Sequence, residues 1–191
     1  MTKSFGEHEK ELIKQKLREN CEECWGKYGY KKTGVAELCK MSGISTGAFY
    51  MFYESKEMLF VDTIDRVGER YDNLIEQSMP ENPTNNDLKN VFKELFHELS
   101  KTPWILEIQD VYEIFMRKLP PEFVKNHFKK DVVDFNLMIE KYKLKPNVSR
   151  EAFTSMSYIL AFSIINKTII GDNYIEALDL IIDSIIENYF D

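Results

Sequence analysis

Residues 29–59 read GYKKTGVAELCKMSGISTGAFYMFYESKEML, and the fold turns on them. A glycine, Gly43, separates two short helical patterns, 35–41 and 46–53, and Ser55 caps a third pattern behind them. Cys39, four residues before the glycine, is small enough for two helices to cross over it. Phe49, six after, is apolar and plugs the core from the second helix, and Ile44 gives the turn a buried anchor. Two helices joined in this way form a helix-turn-helix, whose second helix lies in the DNA major groove.

The segments on either side read as further helices. Upstream, Ile13, Leu17, Cys21, Cys24 and Tyr28 recur at steps of four or three, an amphipathic stripe over 7–28, with Trp25 as a large plug and Gly29 as the stop. Gly34 stands at the N-cap of the second helix and Ser45 at that of the third. The fourth helix carries Leu59, Phe60, Ile64, Val67, Tyr71, Leu74 and Ile75 and dies before Pro80. MPENPTNND (79–87) then marks a junction, and Thr84 with Asp87 offers a capping-box-like start for a fifth helix to about residue 100. Pro103 opens a sixth helix, and Pro120-Pro121 a seventh to about 144. Pro146-Asn147 opens an eighth to about 170, and Gly171-Asp172 separates it from a ninth that reaches the C-terminus. The expected fold is all-α: a three-helix N-terminal helix-turn-helix head over 1–54 and a roughly six-helix body over 55–191, connected by the fourth helix at about 55–77.

Composition fits that reading. Hydrophobic residues make up 43% of 191 residues, enough for a core, and Gly (8) and Pro (6) are sparse, as long helices require. The N-terminal MTKSFGEHEK has no apolar stretch of a signal peptide, and no apolar run reaches the roughly 20 residues that span a membrane, so a cytoplasmic protein with no membrane partner is expected. Net charge is −7, but unevenly spread. Residues 1–60 hold 10 Lys and Arg against 9 Asp and Glu (+1), and residues 61–191 hold 15 against 23 (−8). A near-neutral head on an acidic body is compatible with DNA binding through the head, with modest non-specific affinity.

Three cysteines, an odd number, argue against a disulfide framework. Cys21 and Cys24 form C-E-E-C, but both lie on the apolar stripe of the first helix. There is no second pair, and His8, His97 and His127 are scattered. Packing is favoured over a redox or metal role, and neither metal nor cofactor is expected. Without a glycine-rich phosphate loop or a nucleophile, base and orienter, no enzyme is expected either.

The stretch resembles the head of the tetracycline-repressor (TetR) family of bacterial transcriptional regulators. The resemblance rests on Gly29-Tyr30, Thr33-Gly34-Val35, Ser42-Gly43-Ile44-Ser45, Gly47-Ala48-Phe49-Tyr50, Tyr53, Ser55-Lys56-Glu57 and Leu59, at the family's spacing and without gaps. It implies a homodimer built through the last two helices, a double-stranded DNA operator with palindromic half-sites, and a body pocket for a small-molecule effector, with repression as the family's default. The residues support dimerisation in their own right. The ninth helix carries Ile175, Leu178, Leu180, Ile181, Ile182, Ile185, Ile186, Tyr189 and Phe190, and the eighth Phe153, Met156, Ile159, Leu160, Phe162, Ile164 and Ile165. Both are apolar on more than one face, as a bundle interface requires, though central core helices have the same pattern.

Within the resemblance, the DNA-facing residues are Thr33, Ser45, Thr46, Gly47, Ala48, Tyr50, Met51, Phe52 and Lys56. Residues 44–53, ISTGAFYMFY, contain no Lys or Arg, although the family often has a basic residue where Thr46 stands. The commonest specific major-groove contact, arginine to guanine, is therefore out of this helix's reach. Its short hydroxyl and methyl groups suit thymine methyls and phosphates, so A·T contacts and shape are expected to carry the reading. Phosphate positioning then falls to Lys56, Thr33 and Tyr50, with Lys31, Lys32 and Lys40 as auxiliaries. Phe52 is placed to abut sugar atoms, and Gly34, where the family has Ser or Thr, removes one phosphate contact.

The body is rich in aromatic and methionine side chains. Phe92, Phe96, Trp104, Ile108, Tyr112, Phe115, Met116, Phe128, Phe135, Met138 and Tyr158 are candidates for a pocket taking a small apolar or aromatic effector. Ordinary core packing explains such stripes equally well. His97, Glu107, Gln109, Asp110 and Glu113 are candidate polar partners. An alternative is a DNA-binding regulator without a small-molecule inducer, controlled by a protein partner or by oxidation of Cys39.

Overall fold

The computed structural model describes residues 6–102, 104–127 and 135–189. Its regular elements are helical throughout, as the sequence predicts. They run α1 (Glu7–Tyr28), α2 (Val35–Ser42), α3 (Thr46–Phe49), α4 (Lys56–Ser78), α5 (Asn85–Lys101), a 3-10 turn (Ile105–Glu107), α6 (Ile108–Lys118), α7 (Pro121–His127), α8 (Phe135–Lys141), α9 (Arg150–Ile165), α10 (Lys167–Ile170) and α11 (Tyr174–Tyr189).

Four element starts are fixed by side-chain capping. The Ser45 hydroxyl accepts the Ala48 N–H, and Ser55 does the same for Met58. Thr84 and Asp87 satisfy each other's backbone in a full capping box, and Ser149 caps α9. Some element ends differ from expectation. The third helix stops at Phe49, because Met51 and Phe52 bond back only three residues, to Ala48 and Phe49, which tightens the chain into a turn. The sixth begins as a 3-10 turn before α6. The predicted seventh helix is described as α7 and α8, and residues 128–134, including Phe128, lie outside the described residues. The eighth breaks at Asn166, whose side-chain amide donates to the Phe162 carbonyl and competes with the helical ladder. Tyr28, expected on the inward stripe of α1, is exposed, because Trp25 takes the buried slot one turn after Cys21.

The described residues pack as two units. One gathers those of Met1–Val67 and Glu107–His127, the other those of Gly68–Leu106 and Phe128–Asp191. The core of the first holds Leu17, Cys21, Trp25, Leu38, Phe49, Leu59 and Phe60, together with Val111 and Phe115 from α6. In the second, α5 buries Leu88, Val91, Phe92, Leu95 and Phe96, and it packs against α9 and α11. The rings of Phe92 and Phe153 meet edge to face, 6.3 Å between centroids. Along α5 and α11, Lys89 pairs with Glu187 at 2.5 Å, Lys93 with Asp183 at 2.7 Å and His97 with Asp179 at 2.7 Å. The partners step by four in opposite senses, so the two helices run antiparallel with one ion pair per turn. No described helix is long and apolar enough to cross a membrane.

Candidate nucleic-acid interface

The turn between α2 and α3 sets the geometry of the first unit's exposed face. Gly43 adopts φ 72°, ψ 29°, the left-handed region, with nothing within 4 Å of where a Cβ would stand. Its N–H bonds to the Lys40 carbonyl at 3.3 Å, and the Ile44 N–H bonds to Cys39 at 3.0 Å. These are the two bonds of a Schellman ending, which stops α2 and redirects the chain within two residues. Cys39 and Phe49 are buried on the inner side, while Ile44 is half-buried. Across α2, the Asn20 side chain donates to Ser42 at 2.9 Å and ties it to α1.

Beyond the turn, Ser45, Thr46, Gly47, Tyr50 and Met51 are exposed, and Ala48 and Phe52 are half-buried. The exposed face thus carries one phenol, one thioether, two small hydroxyls and no cation. Behind it, the Tyr53 hydroxyl donates to Asp62 at 2.5 Å, and Arg18 reaches Asp62 at 3.1 Å and Glu11 at 2.7 Å. Burial and the Asp62 carboxylate both push the Tyr53 phenol upward, so it remains a donor. This chain of charge-assisted bonds holds the end of the α3 segment to α1 and α4.

Tyr30 is the centre of a second network. Its N–H donates to Glu107 at 2.9 Å, its hydroxyl to Glu57 at 2.6 Å, and its carbonyl accepts from Lys56 at 2.5 Å. The Lys56 ammonium lies 4.0 Å from the Tyr30 ring centroid, a cation–π distance. Glu107 also accepts the Trp25 indole N–H at 3.3 Å, and Lys118 donates to Glu57 at 2.8 Å. Burial alone works against the Glu57 charge, but the bonds from Lys118 and Tyr30 outweigh it and hold the carboxyl at about 2. Gly29, at φ 80°, lets Glu107 approach: a Cβ there would stand 2.5 Å from its Oε1.

The sequence-based candidates are therefore placed as follows. Thr46, Gly47, Tyr50 and Met51 share the exposed face with Ser45. Thr33 is 2% exposed and donates its hydroxyl to the Gly29 carbonyl at 2.9 Å, so that side chain closes the turn before α2. Lys56 is half-buried on Tyr30. Of the candidate effector residues, Phe92, Phe96, Trp104 and Met138 are buried in the second unit, and Tyr158 is exposed. Ile108, Tyr112, Phe115 and Met116 belong to the first unit, where Phe115 is buried 6.1 Å from the Tyr30 ring and Tyr112 and Met116 are exposed. Phe135 opens α8, but its side chain lies outside the described residues. Glu107 and His97, read as candidate polar partners of an effector, bond to Tyr30 and Asp179 instead. Glu57, Arg117 and Lys118 were absent from the candidate residues; the Arg117-Lys118 pair at a helix end was the readable signal.

The cysteines are all buried, and burial pushes Cys21 up to about 12 and raises Cys24 and Cys39 as well. Thiolate, the form that reacts with oxidants, is correspondingly scarce. Among the described residues, no three His, Cys, Asp or Glu side chains are grouped as metal ligands.

Residues 19–63 match the family model for bacterial regulatory proteins of the tetR family. The HTH-type transcriptional regulator EthR of Mycobacterium tuberculosis is 36% identical over 59 residues, which cover 31% of this chain and 27% of that one. The chain thus matches about a quarter of the length of this curated relative. Among solved structures, a TetR-family transcriptional regulator of Haemophilus influenzae superposes with a TM-score of 0.64 at 15% identity, covering 97% of this chain and 100% of that one. RolR, solved with resorcinol, gives 0.58 at 15% identity, covering 93% and 88%. At these identities the two structures share the all-α fold with this chain.

Proposed function

We propose that this chain, whose residues 19–63 form a DNA-binding head of the tetracycline-repressor family, is a homodimeric transcriptional regulator, a repressor released from its operator by a small apolar or aromatic effector. The observation that carries the DNA reading is the Gly43 turn, with its Schellman bonds and the exposed face of Thr46, Gly47, Tyr50 and Met51 beyond it. An uncharged face of this kind reads thymine methyls and groove shape, with Tyr50 and Lys56 on phosphates. Thr33 contributes to operator contact by holding the turn before α2.

Dimerisation is supported by the second apolar face of the last helices. On α11, Tyr174, Leu178, Ile182 and Ile186 are buried at steps of four, while Leu180 is 63% exposed beside exposed Ile181. On α9, Ile159 is 65% and Phe162 54% exposed, and Ile169 and Ile170 of α10 are exposed as well. Exposed apolar side chains on helices that already bury one face are what a symmetric helix-pair interface needs. The effector reading is supported by buried Phe92, Phe96, Trp104 and Met138 in the second unit, and by resorcinol, a small aromatic, being the ligand of the similarly folded RolR. Its effect would come from unequal affinity for the DNA-competent and DNA-incompetent states. Buried, protonated Cys39 favours this route over control by cysteine oxidation.

Binding-site selection with the purified protein tests the reading. The expected product is a palindrome whose half-sites are rich in A·T opposite α3. Failure to enrich any site sinks the regulator reading, and essential guanines contacted by α3 sink the A·T one.

A further inference from the structure

The first unit contains an open cleft of about 470 Å³, lined by Tyr30, Lys31, Lys56, Ile114, Arg117 and Lys118. Four of these six are cations, in a chain whose net charge is −7. They come from three places in the sequence: the turn before α2, the start of α4 and the end of α6. Two carboxylates border it, Glu57 paired with Lys118 and Glu107 bonded to the Tyr30 N–H, so four cations against two carboxylates leave a balance of about +2. Lys31 is exposed and has no ion-pair partner among the described residues. The Arg117 Nε donates to the Glu113 carbonyl of its own helix, which leaves the two terminal guanidinium nitrogens for another acceptor. Burial lowers the Lys56 pKa and Lys118 adds a smaller repulsion, while the Glu57 carboxylate works the other way.

Basic residues in the last turn of α6 have an ordinary role, complementing the helix dipole. That role explains Arg117 and Lys118 one at a time. It does not explain their convergence with Lys31 and Lys56 on one cleft. A single carboxylate is too small to meet cations spread around such a volume. A guanidinium fork beside ammonium groups matches the several oxygens of a phosphate.

We propose that this cleft is a phosphate-binding site, in which Arg117 and Lys118 join Lys31 and Lys56 around one or two phosphate groups. The phosphate is that of the DNA backbone or of a free phosphorylated ligand. In the first case, the 107–127 segment takes part in operator binding directly. In the second, a small polyanion competes with DNA for Lys56. The DNA case rests on the reading of the head as a DNA-binding module; the free-ligand case stands without it.

The test uses the full chain at low ionic strength, with two probes: a short random-sequence duplex followed by anisotropy, and inorganic pyrophosphate followed by calorimetry. Arg117→Gln and Lys31→Gln remove cleft charges at exposed positions. Lys125→Gln, in the same segment but outside the cleft, is the control. If the backbone is the ligand, each cleft variant weakens duplex binding for all sequences alike and lowers the slope of log K against log salt by about one. If a free phosphate is the ligand, each raises the pyrophosphate dissociation constant about tenfold or more, the loss of one charge-assisted bond. Both effects together, with pyrophosphate displacing the duplex, mean that the two compete for one site. The proposal is overturned if the cleft variants bind both probes like the wild type, or if Lys125→Gln weakens binding as much as they do. Wild type that binds no duplex refutes the DNA-binding reading instead, and the pyrophosphate series then decides the cleft alone.

Discussion

The substitution Glu57→Gln separates the charge of the Tyr30 network from its shape. The carboxyl ordinarily titrates near 4.5 and is held at about 2 in the fold. At 1.36 kcal/mol per pKa unit, that difference is a ceiling of about 3 kcal/mol. Lys118 is largely exposed, so water screens part of its attraction, and the expected contribution is roughly 2 kcal/mol. The sign follows from the direction. A carboxyl whose folded value is depressed stabilises the fold above its unfolded value, and this stabilisation is lost as pH falls from about 4.5 toward about 2. More than half of it should be gone by pH 3. The amide of the variant keeps an oxygen for the Tyr30 hydroxyl but has no proton to exchange. Urea unfolding of both proteins at a series of pH values from 7 down to 3 is the assay. The wild type should be more stable at neutral pH, with the gap narrowing below pH 5. Parallel profiles across the whole range would refute the assignment of the network's stability to the Glu57 charge.

Three further outcomes follow from the geometry. Gly43→Ala should cost about 1 kcal/mol, since its Cβ meets open space and only the left-handed backbone is strained; Gly29→Ala should cost clearly more, because its Cβ would also push the Glu107 carboxylate off its bonds to the Tyr30 N–H and the Trp25 indole, and thermal denaturation will rank them. A double-mutant cycle on Lys93→Ala and Asp183→Ala should give a coupling of about 0.2–1 kcal/mol that shrinks in high salt, as expected of a partly exposed pair on the α5–α11 ladder. Phe162→Glu and Leu180→Glu, at exposed positions, should shift sedimentation from dimer to monomer while leaving the helical circular dichroism unchanged; an unaltered sedimentation coefficient would place the interface elsewhere.

Local chemistry made much of the first unit legible. The Ser45 cap and the Schellman ending at Gly43 each act within a few residues, so the sequence pattern carries them whole. The stripe of Ile13, Leu17, Cys21 and Cys24 depends only on helical period. The length of α3 is not legible in the sequence, because apolar residues continue to Tyr53 and nothing in that pattern distinguishes another helical turn from a tightened one. The inward placement of Thr33 is not legible either, because a hydroxyl before a helix suits a phosphate or the chain's own carbonyl equally, and the choice depends on the turn around it.

The residues of 29–59 by themselves determined that two helices cross at Gly43 and that the second is uncharged, because capping, backbone handedness and side-chain charge are properties of neighbours in the chain. Only the tertiary structure decided that Glu107 and Lys118, 77 and 61 residues from their partners Tyr30 and Glu57, bond to the first unit, and that Arg117 closes a basic cleft there. An acidic residue at the start of a helix and basic ones at its end look alike whether they meet water, the helix dipole or another segment. Which of these they meet depends on burial and on partners brought near by the fold, and neither is written in the local pattern.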